Sequence, residues 1–183
     1  MGGFAALEAL KTKSSSSRPC TSVLEAAMMV PELSQFVATA QAANLSDYLK
    51  DPNLVATVFV PTNDAFNKAL SQYGVTPSQA LQQASLIRGL LQYHVVPGMA
   101  LTEGTMTNGE TLPTALTGQS LKVKKTGDSA MIQPSTGSAA NLVEADVPVC
   151  KAILDVVDAL LFPAVSSLPP SAAAQLASRT AGR

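Results

Sequence analysis

The sequence predicts a single α+β domain, and three observations predict it. Apolar residues recur at helical spacing through much of the first half, while short β-branched stretches punctuated by glycine turns dominate the second. The chain has 183 residues, of which 46% are hydrophobic and 14% charged, which suits one core with tails better than two domains. A chain of this length buries roughly two-thirds of its unfolded surface. With no Trp and only 4% aromatic residues, that core is aliphatic. A formal net charge of −1 and scattered lysines give no electrostatic footprint for nucleic acid. No apolar run approaches the roughly 20 residues that span a bilayer. Met1 to Leu10 is too short for a secretory leader and carries Glu8 where an apolar stretch is needed, so the expectation is a chain from which any secretion signal is already absent.

Phe4 to Lys13 can form a short helix, but Ser14 to Ser17 and Arg18-Pro19 have linker composition, so residues 1–19 are expected to be a flexible segment. Thr21 or Ser22 can cap a helix carrying Val23, Leu24, Ala27 and Met28, which Pro31 interrupts. Leu33, Phe36, Val37 and Ala40 stripe a second helix, and Leu45 and Leu49 a short third. Together they read as a helical hairpin ahead of the first strand.

Thr57 to Val60 is that strand, β-branched and aromatic as a strand buried on both faces should be. Pro61 ends its ladder, Thr62 is placed to cap the following helix, Asn63 and Asp64 fill the first turn, and Phe66 returns to the core. Tyr73 to Pro77 reads as a turn, with Ser78 capping a short helix over Gln79, Ala80 and Leu81. A helix from about Ser85 to Gln92 presents Leu86, Leu90 and Leu91, and Tyr93 to Pro97 reads as a strand closed by Pro97-Gly98. Extended structure follows. Asn108-Gly109 is a hairpin signal, Thr117 to Gln119 separates Thr111–Leu116 from Leu121–Lys125, and Gly127-Asp128 separates that strand from Ala130–Gln133. Asn141 to Val147 and the apolar run from Ala152 to Leu161 form the last pair. From Ala164 the Ala, Ser and Pro content predicts a flexible tail over residues 164–183, and no internal repeat is present.

Catalytic arrangements are missing. The chain has no G-x-S-x-G elbow, phosphate-binding glycine loop, H-E-x-x-H motif or paired carboxylates in a catalytic setting, and it has one histidine, His94. No metal site and no enzyme activity are expected.

The run Thr57-Val58-Phe59-Val60-Pro61-Thr62-Asn63-Asp64-Ala65-Phe66 resembles the first signature of the fasciclin (FAS1) domain, T-V-F-A-P-T-D-x-A-F, with changes at Val60 and Asn63. Leu91 to Gly98 resembles its central L-x-Y-H-V-V-x-G segment. Lys151 to Pro163 is similar to its third signature, N-G-V-I-H-V-I-D-x-V-L-L-P, with Asp155 in place of the histidine and Lys151-Ala152 in place of Asn-Gly. The resemblance covers about residues 20–163. It implies a wedge-shaped antiparallel β-sandwich with an N-terminal helical hairpin and helices between the first strands, extracellular and non-enzymatic, acting in adhesion or matrix contacts. Some green-algal members of that family are water-soluble carotenoid-binding proteins, which pair a leading cysteine with one just before the last strand. By that likeness this chain is expected to be a secreted carrier of an apolar small molecule, a carotenoid such as astaxanthin held non-covalently. Membranes or another carrier would be donor or acceptor, and the protein a monomer or a ligand-linked dimer. A cell-adhesion or matrix module is the alternative, although no Arg-Gly-Asp and no lipid-anchor tail are present.

The resemblance also implies a Cys20–Cys150 disulfide, against which stand two buried free thiols; their spacing matches no redox or zinc motif. Tyr93 and His94 would mark an interior helix–strand junction, His94 as a buried histidine with satisfied partners or as part of an interaction surface. Asp155 is expected at an exposed strand position, or else to reshape a neighbouring groove. Met28, Met29, Met99, Met106 and Met131 read as adaptable core filler, yet several flank a place where a long apolar ligand could lie between hairpin and sheet. The residues expected to line that groove are Met28, Met29, Val30, Leu33, Val95, Val96, Met99, Leu101, Met106 and Ile153. Asn44-Leu45-Ser46 is the sole glycosylation sequon.

Overall fold

A computed structural model describes residues 20–163 apart from 73 and 136–138. The predicted Phe4–Lys13 helix, the serine linker, the tail from Ala164 and the start of the turn at Tyr73 lie outside these residues.

The first helix, α1 (Val23–Met28), is capped as its sequence requires. Ser22 accepts from the Glu25 amide while the Glu25 carboxylate accepts from the Ser22 amide at 2.8 Å, a reciprocal capping box. These Ser22 bonds hold the Glu25 carboxyl below its ordinary range. A 3-10 turn at Pro31–Leu33 leads into α2 (Ser34–Ala42). Asn44 ends α2 in the left-handed region (φ 58°), with its own amide donating to the Gln41 carbonyl and that of Leu45 to Ala40. The residue of the sequon therefore has a local backbone reason to be asparagine. Helix α3 (Ser46–Lys50) completes the hairpin region.

Strand β1 (Ala56–Pro61) is buried at every position. The Thr62 hydroxyl accepts from the Ala65 amide at 3.2 Å and starts α4 (Asn63–Gln72). Asn63 does more than fill the first turn. Its Oδ1 accepts from the Gln35 amide at 2.9 Å and its Nδ2 donates to the Pro31 carbonyl at 3.1 Å and to Ser34 Oγ at 3.0 Å, tying α4 to the start of α2. The next cap is Thr76, not Ser78: with Gln79 it forms a second capping box, and Pro77 occupies the first turn of α5 (Pro77–Leu81). Helix α6 runs over Ala84–Tyr93 with His94 as its C-cap, so Tyr93-His94 is helix end rather than strand, and β2 is confined to Val95–Pro97. Gly98, at φ +80°, turns the chain there and donates to the Val55 carbonyl.

The strands are β3 (Thr111–Pro113), β4 (Ser120–Thr126), β5 (Ser129–Gln133), β6 (Ala140–Val149) and β7 (Ala152–Val157). They form one seven-stranded sheet in the order β2-β1-β7-β6-β5-β4-β3. Most pairs are antiparallel, but β1 and β7 run parallel, so the sheet departs from the wholly antiparallel expectation next to its β2 edge. The Asn108-Gly109 turn does not join two paired strands; it leads into β3, and its Gly109 amide donates to Val123 of β4. Strand β7 stops at Val157 because Asp158 turns to accept the Asn141 amide and side chain. Strand β6 is shared between two halves. Ala140 and Asn141 pair with β5, Leu142 onward pairs with β7, and register shifts between Leu142 and Val147 bend it. A disulfide joins Cys20, ahead of α1, to Cys150 in the β6–β7 turn, with a Cα–Cα distance of 4.9 Å.

The core lies in two bodies, one on each side of the β1–β7 ladder. Because side chains alternate along a strand, Val58, Val60, Leu154 and Val156 join a helical core with Leu24, Leu33, Phe36, Leu49 and Leu91. Phe59 and Val157 face the other way, into a strand core with Tyr93, Met106, Leu112, Leu121 and Ile132.

Candidate functional site

The helical side contains the main apolar cavity, about 210 Å3 in volume. Phe36 comes from α2, Leu45, Tyr48 and Leu49 from the α2–α3 junction and α3, and Arg88, Leu91 and Gln92 from one face of α6 at helical spacing. Val95 of β2 forms the floor with Ala115, whose amide donates to the Val95 carbonyl at 2.8 Å and brings the β3–β4 connection across the sheet edge. The walls are hydrocarbon, with Tyr48, Arg88 and Gln92 supplying the polar atoms. These three side chains make no hydrogen bond or ion pair within the described residues. A phenol is protonated at neutral pH and can donate, and partial burial raises that of Tyr48 further above its ordinary value.

Two other hollows are less suited to an apolar ligand. A crevice of about 40 Å3 between α2, α4, α5 and α6 is barely larger than one water molecule. A shallow groove of about 470 Å3 is bordered by Glu32, Asn63, Asp64, Lys68 and Asp158, with mixed charges. Among the described residues no cluster of His, Cys, Asp and Glu could hold a metal ion, and no helix is long and apolar enough to cross a membrane.

The residues expected to line a ligand groove do not share one cavity. Val95 borders the apolar cavity. Val30 and Leu33 are buried in the helical core, and Val96 and Met106 in the strand core, on the opposite side of the sheet. Met99 and Leu101 pack against the strand core, where Thr57 Oγ1 donates to the Met99 carbonyl at 2.7 Å and accepts from the Leu101 amide at 2.9 Å. Ile153 is half-buried opposite Thr57. Met28 and Met29 stand outside, 59% and 45% exposed. Asn44 is exposed next to Leu45, a cavity residue. The sequence reading missed Tyr48, Arg88, Gln92 and Ala115. Arg88, Leu91 and Gln92 were legible as one helical face, but Ala115 reaches the site only through a tertiary hydrogen bond.

Tyr93 and His94 join the two sides of the sheet. The buried Tyr93 hydroxyl donates to the Ser120 carbonyl at 3.0 Å and accepts from the Ser135 amide at 2.8 Å, anchoring α6 to the strand half. His94 is buried with both ring nitrogens engaged. Nε2 accepts from the Leu161 amide at 3.0 Å, so Nδ1 carries the proton and donates to the Leu90 carbonyl at 2.6 Å. Burial pushes the imidazole down to about 4, although the Leu90 carbonyl favours the charged form.

Asp155 is not at an exposed position; it is fully buried in β7. Its Oδ1 accepts from the Asp146 amide at 2.8 Å, where Asp146 has a left-handed backbone (φ 62°) in the irregular stretch of β6. Asp146 Oδ1 accepts from the Glu103 amide, and Glu103 Oε1 from the Ala130 amide at 2.7 Å. Three carboxylates thus serve as acceptors for backbone amides that bent β6, the 98–110 connection and the start of β5 present to them.

The family model for the fasciclin domain matches residues 31–163. Among solved structures, a FAS1 domain pair from the insect cell adhesion molecule fasciclin I is similar, with a TM-score of 0.69 at 18% identity over 82% of this chain and 53% of that one. The chain thus spans about half the length of that domain pair, and at this identity the likeness concerns the fold alone. No curated protein matches the sequence.

Proposed function

The chain belongs to the fasciclin domain family, and from that premise we propose that it is a non-enzymatic, extracellular binding module that takes an apolar small molecule in the cavity between α2, α3, α6 and β2. The observation that carries this reading is the cavity itself, walled by Phe36, Leu45, Leu49, Leu91, Val95 and Ala115. Its volume of about 210 Å3 is below the roughly 300–1,000 Å3 of sites that enclose a drug-sized ligand, so it holds part of a long molecule. A carotenoid such as astaxanthin would seat one end ring there and leave the polyene outside. The second end ring of such a ligand is then free for another copy of the protein, which is the route to a ligand-linked dimer, and a membrane or another carrier is the donor.

The test is to mix the full chain with astaxanthin and separate the products by gel filtration. A visible absorption band should travel with the protein and be lost in Leu91→Arg, with the fold checked by circular dichroism. A colourless protein peak from the unaltered chain overturns the reading.

The adhesion function named for the insect protein supports a second reading, a cell-surface or matrix contact module. Capture of cells or matrix by the immobilised chain, insensitive to Leu91→Arg, would favour it over ligand carriage. Exposed Asn44 is the proposed glycan acceptor, which a mass shift on enzymatic deglycosylation of secreted protein would reveal.

A further inference from the structure

We infer that the cavity between α2, α3 and α6 takes a compact amphipathic monocarboxylate, of the medium-chain fatty acid class, with its hydrocarbon body against Phe36, Leu49 and Leu91 and its carboxylate on Arg88. The inference rests on the reading that this cavity is the ligand site and names a carboxylate, in place of the neutral end ring of a carotenoid, as the head group it takes.

Size, charge and donor geometry agree on this class. The cavity, about 210 Å3 and open on one side, has room for a short chain or a single ring but not for a long polyene. Arg88 is the one cationic side chain on its wall, and no carboxylate lines it, so a cationic head would find no partner there. The guanidinium stands exposed at the rim, and no described residue pairs with it. Arg88 and Gln92 are one turn apart on α6, so the guanidinium fork and the amide can address two oxygens of one head group. Tyr48 adds a phenolic donor from α3. A wall of donors around an apolar body matches an acceptor head, and the fixed positive charge selects an anionic one.

Isothermal titration of the full chain with decanoate and with decanol, below their aggregation limits, tests the head group at constant body. Because Arg88 is exposed, the ion pair is worth about a fivefold preference for decanoate, and raising the salt should shrink it. Arg88→Gln should bring decanoate to the affinity of decanol and leave decanol unchanged, with an unaltered melting temperature showing that the fold is intact. Equal affinities in the unaltered chain, or a preference that survives Arg88→Gln, overturn the carboxylate assignment and leave the apolar cavity in place as a site. Binding of neither compound overturns the carboxylate assignment, and the astaxanthin gel filtration then decides separately whether the cavity is a ligand site.

Discussion

The two sides of the β1–β7 ladder are both built from apolar side chains but are finished differently. On the strand side, Phe59, Tyr93, Met106, Leu121 and Ile132 are all buried, and the Tyr93 hydroxyl is engaged by Ser120 and Ser135. On the helical side, Phe36, Leu49 and Leu91 leave a cavity, and Tyr48, Arg88 and Gln92 border it with polar groups not engaged by any described residue. The difference teaches where function can reside. Native cores close to high density, so a persistent cavity edged by unused donors marks a place where the fold stops serving itself.

The largest expected effect concerns the tether that holds the helical layer to the sheet. The Cys20–Cys150 bridge closes a sequence separation of 130 and joins the start of the helical layer to the β6–β7 turn. Replacing both cysteines by serine should cost about 5 kcal/mol on the loop-entropy account, read as a lower urea midpoint. An unchanged midpoint would mean that packing alone holds the helical layer in place.

Next comes packing itself. Leu121→Ala in the strand core should cost about 4 kcal/mol, and Leu49→Ala at the cavity wall about 2 kcal/mol, since the second side chain already lacks neighbours on one side. Equal costs in denaturant unfolding would erase the contrast between the two cores.

A third effect belongs to the junction at His94. Its folded value, about 4, lies below the ordinary 6.5, so between these limits the unfolded chain binds a proton that the native chain refuses. Stability should therefore fall as pH drops from about 6.5 to about 4, by on the order of 3 kcal/mol, and His94 should contribute no further slope below that. Chemical denaturation across that range checks it, with His94→Gln removing the slope.

The smallest concerns Asn63. Asn63→Asp keeps an acceptor for the Gln35 amide but loses the donors to Pro31 and Ser34, so thermal unfolding should register a loss of about 1 kcal/mol. The favourable position of a carboxylate in the first turn of α4 offsets part of it. A stabilised variant would show that the clamp matters less than the helix dipole.

The places where the sequence misled have physical causes. The apolar stripe through Leu86, Leu90 and Leu91 predicts α6 well, yet the β-like composition of Tyr93-His94-Val95 hides that the helix continues through Tyr93, because the bonds that fix its end come from Leu90 and Leu161, the latter distant in sequence. A lone carboxylate in an apolar strand predicts exposure for Asp155. The strand buries it because bent β6 presents the Asp146 amide as a donor, and no local pattern announces that bend. The methionines offered a plausible groove, but Met28 and Met106 stand far apart in environment, one exposed and one inside the strand core.

By itself the sequence determined the α+β class, a first helix cap at Thr21 or Ser22, the cap at Thr62, the turns at Gly98, Gly118 and Gly127 and the strand that stops at Pro61. Each depends on the backbone preferences of a few neighbouring residues. Only the tertiary structure decided that β1 would lie parallel to β7, which face of each strand would meet which core, and that Ala115 would close a cavity with Phe36, Leu49 and Arg88. Those outcomes depend on how whole layers fit together. The volume left between helices and sheet is a property of the packed layers, and no stretch of the chain encodes it alone.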